Sequence, residues 1–200
     1  MPWTDAKFFF FHAVTILGDS GFLLPASAIL FILLWASGSR RAALGFAGAM
    51  SLCIVATVAA KLGFTACGAP GDDAIRSPSG HASLSAMFFS SVGFVAVRTT
   101  PGGLGRAVFV FCLILVALIA GSRIVLYAHT VAETLIGLSI GAACFLLFRR
   151  LTPPRMRLDW RVSASVLALF FMVYALFGRR IYIEERLTRF APWIQGLIGC

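Results

Sequence analysis

Charge is what this sequence has least of: 12% of its 200 residues are Asp, Glu, Lys or Arg, and only eight are acidic. Soluble domains are about a quarter charged and about half apolar. Here 60% of residues are hydrophobic and the mean hydropathy is +0.92. So little charge cannot cover a water-soluble globule, which leaves lipid as the solvent for much of the chain. Cysteine is sparse too, at five residues, and no C-x-x-C pair occurs, so a structural zinc site or redox motif is not expected. Cys53, Cys112 and Cys144 lie in apolar runs, where a thiol is usually a small buried hydrophobe. Cys67 and Cys200 would fall on one side of a membrane, but their pairing cannot be read from sequence. Met1 to Leu17 has no basic leading segment and puts Asp5 ahead of its apolar stretch, so no cleavable signal is expected.

What is there is a series of long apolar runs. Gly21–Ser37, Ala42–Ala60, His81–Val97, Gly105–Gly121, Thr130–Phe148 and Val162–Phe177 each read as a transmembrane helix of roughly 20 residues. The expected fold is an all-α integral membrane protein, one domain over residues 1–200, with about six spans in a single bundle. Lys7–Leu17 is too short to span comfortably. Its phenylalanines, Phe8 to Phe11, suit a helix in the interface, or a short first span. The closing stretch Gly178–Cys200, with Tyr182 and Trp193, suits the headgroup level. Oligomeric state is not legible.

The net charge of +9 would fit nucleic acid if the basic residues formed a stripe. They sit instead in small groups between apolar runs, which excludes that partner and points to membrane orientation. One set of loops receives Arg40, Arg41, Arg98, Arg106, Arg149, Arg150, Arg155, Arg157 and Arg161, with Asp159 its single acid. The other receives Asp5, Asp19, Asp72, Asp73, Glu133, Glu184 and Glu185, with Lys7, Lys61, Arg76, Arg123 and four arginines of the tail. The arginine-rich, acid-poor side is expected to face the cytoplasm.

On the opposite side, polar residues from three chain segments converge at one depth. Lys61 ends the second span, Arg76-Ser77-Pro78-Ser79-Gly80-His81 leads into the third, Ser122-Arg123 ends the fourth, and His129 and Glu133 open the fifth. Each alone has a bland explanation: the cations snorkel, His81 serves a helix end, Glu133 pairs with an arginine. Together they make sense as chemistry, since ionisable groups in a membrane are costly. His129 and Glu133, four apart, would share a helix face. A carboxylate on one imidazole nitrogen fixes the tautomer and leaves the other nitrogen as a nucleophile. A helix beginning near His81 offers free N–H groups and a positive dipole end to an anion. Gly80 permits close backbone approach, and guanidinium forks on Arg123 and Arg76 match phosphate oxygens.

These residues resemble the type 2 phosphatidic acid phosphatase superfamily, in its membrane-bound bacterial branch. Its signature has three blocks, K-x6-R-P, P-S-G-H and S-R-x5-H-x3-D. Pro78-Ser79-Gly80-His81 matches the second block in full, and Ser122, Arg123 and His129 stand at the spacing of the third. The first block departs, with Gly68 where an arginine is expected after Lys61. Arg76 is the candidate substitute. Glu133 stands where the family usually has Asp.

The resemblance implies a lipid-phosphate phosphatase that works through a phosphohistidine on His129, with His81 as acid and then base, Glu133 orienting His129, and no metal or other cofactor. Lys61, Arg76, Ser79, Gly80, Ser122 and Arg123 would hold the phosphate. Bacterial relatives of this size act on polyprenyl pyrophosphate, phospholipid phosphates or lipid A phosphates. The small loops favour a polyprenyl or glycolipid phosphate, entering from the outer leaflet of a bacterial inner membrane. Two alternatives remain open: a phosphotransferase sharing the first half-reaction, and a binding protein without turnover.

Overall fold

The computed structural model describes residues 2–67, 77–100, 102–153, 156 and 158, and every regular element among them is a helix. In chain order these are α1 (Pro2–Ile16), α2 (Ser20–Ala36), α3 (Arg40–Cys67), α4 (Gly80–Thr99), α5 (Leu104–Val125) and α6 (Val131–Leu151). Among the described residues, five stretches are long and apolar enough to cross a membrane: Phe8–Ala36, Arg40–Thr65, Gly80–Thr99, Leu104–Val125 and Val131–Leu151. The all-α fold expected from the apolar runs is therefore present. The sixth predicted span, Val162–Phe177, and the closing stretch lie outside the described residues.

Two segments depart from the sequence reading. At 15 residues, α1 is longer than its apolar run suggests. With a rise of 1.5 Å per residue it still reaches only about 22 Å, short of the roughly 30 Å hydrocarbon core. It joins α2 through a turn at Leu17 and Gly18, so the first candidate crossing contains both helices. The other departure is α3, which continues well past Ala60 to Cys67. Lys61 therefore sits inside a helix instead of ending one. No proline lies between Arg40 and Pro70, so nothing stops the helix where the charge appears.

Helices α2, α4 and α6 begin at one end of the bundle, and α3 and α5 run back toward it. All three starts are capped by side chains. Asp19 accepts from the Gly21 N–H at 2.7 Å, Ser79 from Ala82, and Thr130 from Glu133. The far end gathers Arg40 and Arg41 at the start of α3, Arg98 in the last turn of α4, Arg106 at the start of α5, and Arg149 and Arg150 in the last turn of α6. Cations in a last turn complement the negative end of the helix dipole. Arg98 also lies 5.1 Å from the Phe94 ring, and Arg40 lies 5.5 Å from Trp35.

Close packing around α4 sets the position of everything else. A Cβ added to Gly137 or Gly141 of α6 would collide with the Ser79 and Ser83 carbonyls, and at Gly105 of α5 it would come within 2.6 Å of the Ala96 carbonyl. Small residues four apart let helix backbones approach in a membrane, where apolar burial alone does not drive association. Thr57 of α3 and Ser83 of α4 bond through their hydroxyls at 2.9 Å, and Ser85 and Ser91 bond back to carbonyls of their own helix. Toward the arginine end, Phe46, Phe94, Phe145 and Phe148 meet edge to face, with centroids 5.6 to 6.1 Å apart.

Candidate active site

The site is built from the third block outward, starting with the turn between α5 and α6. Helix α5 ends at Val125, and Tyr127 takes a positive φ of 54°. A bulky residue in that left-handed region is unusual and reverses the chain sharply. Ala128 and His129 then donate backbone N–H bonds to the Arg123 carbonyl at 2.9 and 3.1 Å. The five residues between Arg123 and His129 are thus the length of one helix-capping reversal, which folds the histidine back under the arginine's own helix.

Glu133 ties this turn to the start of α4. It is the third residue of α6 and forms a capping box: its N–H donates to the Thr130 hydroxyl at 3.2 Å, and Oε2 accepts from the Thr130 N–H at 2.9 Å. The same Oε2 lies 3.1 Å from Nδ1 of His129. Oε1 accepts from the Ser77 N–H at 2.8 Å, and the Glu133 carbonyl accepts from the Ser79 N–H at 3.1 Å. With three partners, the carboxylate can stay buried without leaving an unsatisfied acceptor. The predicted His129–Glu133 contact is present, but its expected geometry is corrected: His129 precedes the helix, and the capping box brings the pair together where a shared helix face was expected.

At the start of α4, Ser79 is fully buried and serves as the helix cap, its hydroxyl accepting from the Ala82 N–H of the first turn. A Cβ at Gly80 would touch Lys61, 3.4 Å from Cε and 3.9 Å from Nζ, so Lys61 reaches across from α3 over the glycine. His81 is largely buried, with Nε2 3.6 Å from Oδ2 of Asp19. Arg123 donates from Nη1 to the Thr15 hydroxyl at 3.0 Å. Ser122 is fully buried and its hydroxyl donates to the Ile119 carbonyl at 2.6 Å, an arrangement that belongs to helix packing. Arg76 lies outside the described residues.

The structure therefore joins the second and third blocks through Glu133, and Lys61 to Gly80. It also brings in two residues to which sequence reading gave no role. Asp19 carried a legible signal, an acid opening an apolar run in the Asp-Ser-Gly form of a helix cap. Thr15 carried none, because a threonine among apolar residues is ordinary.

Comparison with known proteins gives three findings. A model of the PAP2 superfamily matches residues 20–157. A protein of Klebsiella pneumoniae described as an uncharacterized 22.5 kDa protein in cps region is 32% identical over 146 residues, which is 70% of this chain and 69% of that protein. No solved structure matches.

Proposed function

The chain belongs to the PAP2 superfamily, whose members are in general phosphatase-type enzymes acting on phosphate esters, and on that premise we propose that it is a lipid-phosphate phosphatase working through a phosphohistidine. The observation that carries this reading is the Glu133 carboxylate, which meets His129 Nδ1 at 3.1 Å while holding the Ser77 backbone of the neighbouring block. A carboxylate on Nδ1 fixes the proton there and presents Nε2 as the nucleophile.

In the first half-reaction, Nε2 of His129 forms a bond to phosphorus as the bond from phosphorus to the lipid oxygen breaks. Protonated His81 gives its proton to that oxygen, and the lipid alcohol leaves. In the second, water attacks the phosphohistidine, His81 takes the water proton, and phosphate departs with His129 restored. Lys61, Arg123 and the N–H groups at the start of α4 stabilise charge on the equatorial oxygens, where stabilisation contributes most in phosphoryl transfer. Arg76 is proposed as a further phosphate contact. The short connections among the described helices favour a polyprenyl or glycolipid phosphate over a substrate that needs a large recognition domain.

The reading is tested with purified protein and a panel of lipid phosphates, with orthophosphate release as the readout. Wild type is expected to release phosphate and His129→Ala to release none while remaining folded. Turnover by His129→Ala would remove the phosphohistidine. Transfer of phosphate to a second lipid, with no free phosphate, would favour the phosphotransferase.

Sidedness follows from the arginines at the far end, which we place in the cytoplasm. The site would then face the periplasm or exterior of a bacterial inner membrane. A membrane-impermeant thiol reagent is expected to label a cysteine placed at Asp72 and spare one placed at Pro154, in a chain stripped of its native cysteines. The reverse pattern would turn the protein over.

A further inference from the structure

The matched family region begins at residue 20, yet the turn just before it lies against the site at three points. Thr15, at the end of α1, accepts from Arg123 at 3.0 Å. Gly18 sits so close that a Cβ there would come within 2.5 Å of Ile119 and 3.4 Å of the His81 side chain. Asp19 places Oδ2 3.6 Å from His81 Nε2.

We propose that Asp19 is a positioning residue for catalysis, orienting His81 and supplying the countercharge for the proton that His81 delivers to the departing lipid oxygen. This rests on the phosphatase reading above.

Three features support the assignment. First, the two carboxylate oxygens have separate tasks. Oδ1 accepts from the Gly21 N–H at 2.7 Å and fixes the side chain as the cap of α2, which leaves Oδ2 aimed at the imidazole. Second, 3.6 Å is an ion-pair distance, longer than a good hydrogen bond, so the contact acts chiefly through charge. Third, the charge is needed there. Lys61 from α3 and Arg123 from α5 bring two cations to this end of the bundle, and the Glu133 carboxylate of α6 is already committed to His129, Thr130 and Ser77. A protonated His81 among those cations is stabilised by a nearby acid, and among the described residues Asp19 lies beside it. Thr15 adds a second link, because it holds the guanidinium of Arg123 from the same turn.

The decisive variant is Asp19→Asn, which keeps a good helix cap and loses only the charge. Its effect should depend on the leaving group, since an alkoxide must be protonated as it departs and a nitrophenolate need not be. With an alkyl phosphate and a nitrophenyl phosphate bearing the same chain, kcat/KM, which reports the steps up to departure of the alcohol, should fall by about 10-fold or more for the alkyl ester, within the range that general acid catalysis supplies. The nitrophenyl ester should lose less than about threefold on the same grounds. Inhibition by orthovanadate and the thermal unfolding midpoint in detergent should be unchanged. Asp19→Ser, another capping residue without charge, should reproduce the pattern.

Equal losses on the two esters, or losses that track a fall in the unfolding midpoint, would make Asp19 a cap alone and overturn the proposal. So would unchanged kcat/KM on the alkyl ester. Failure of the parent reading looks different: wild type would then release no phosphate, or His129→Ala would release it. A wild type and a His129→Ala variant that behave as expected, beside an indifferent Asp19→Asn, remove Asp19 and leave the phosphatase standing.

Discussion

Helices α4 and α5 are neighbours of similar length that answer to opposite rules. α5 has a mean hydropathy of 2.7 over its apolar window, yet only 33% of that window is buried in the protein. α4 has the lowest value among the candidate spans, 1.4, and is 72% buried. The outer face of α5 exposes Val110, Phe111, Leu113 and Ile114, whereas α4 buries Ser83, Ser85, Ser90 and Ser91. In water the more hydrophobic helix would go inside. In lipid the apolar face has no reason to leave its solvent, so burial goes to the helix with small side chains, close backbone contacts and hydroxyls that find partners. Polarity marks the centre of this bundle, and the same helix carries the P-S-G-H block on its first turn.

The contrast can be broken most severely at the α4–α6 seam. Gly141→Leu drives a side chain into the Ser83 carbonyl and Ala86, with no flexible neighbour to yield. The variant is expected to give little or no folded protein, measured as a monodisperse peak after detergent extraction. A stable, active Gly141→Leu would mean that the close approach of α4 and α6 is not required.

Glu133→Gln should have a smaller effect on folding and a large one on chemistry. Glutamine can keep one half of the capping box, but it carries no charge for His129. Loss of an orienting carboxylate beside a catalytic histidine costs on the order of 10²–10⁴ in kcat. Phosphate release should therefore fall by about 100-fold or more, with the unfolding midpoint lowered by a few degrees at most, on the order of one lost hydrogen bond. A loss below tenfold would show that His129 keeps its tautomer without Glu133.

The smallest effect is expected on the outer face of α5. Ile114→Ala removes a half-exposed side chain on a face expected to meet lipid, so activity and midpoint should both stay near wild type. A clear loss there would show that this face is covered by protein.

The site was more legible than the path the chain takes to reach it. Pro78-Ser79-Gly80-His81 and Ser122-Arg123 with His129 stand at fixed spacings because a helix start and a helix-capping reversal each have a set length, and spacing survives in sequence. The apolar runs of α2, α4, α5 and α6 were legible for a similar reason, since membrane thickness dictates their length. The extent of α3 was not, because Lys61 breaks the apolar pattern while leaving helix geometry undisturbed. Nor was the pairing of Asp19 with His81. That contact is made between residues 62 positions apart in the chain, by a turn that reads from sequence only as a gap between two hydrophobic stretches. Arg76 and the sixth span fall outside the described residues and remain expectations.

The shared starting end of α2, α4 and α6 has one more consequence. Each helix start carries roughly half a positive charge, and three of them meet where Lys61 and Arg123 also lie. On the phosphatase reading, this field draws in an anionic headgroup, and it does not vanish when the lipid alcohol has gone. Orthophosphate, with comparable charge and no hydrocarbon chain to draw it back into the bilayer, would be held by the field that recruited it. Release would then set the pace of turnover, and the enzyme would slow wherever phosphate accumulates on its own side of the membrane. Competitive inhibition by added orthophosphate, stronger than that by sulfate at equal ionic strength, is the expected signature. Indifference to phosphate would mean that the three helix starts shape the site without gripping its product.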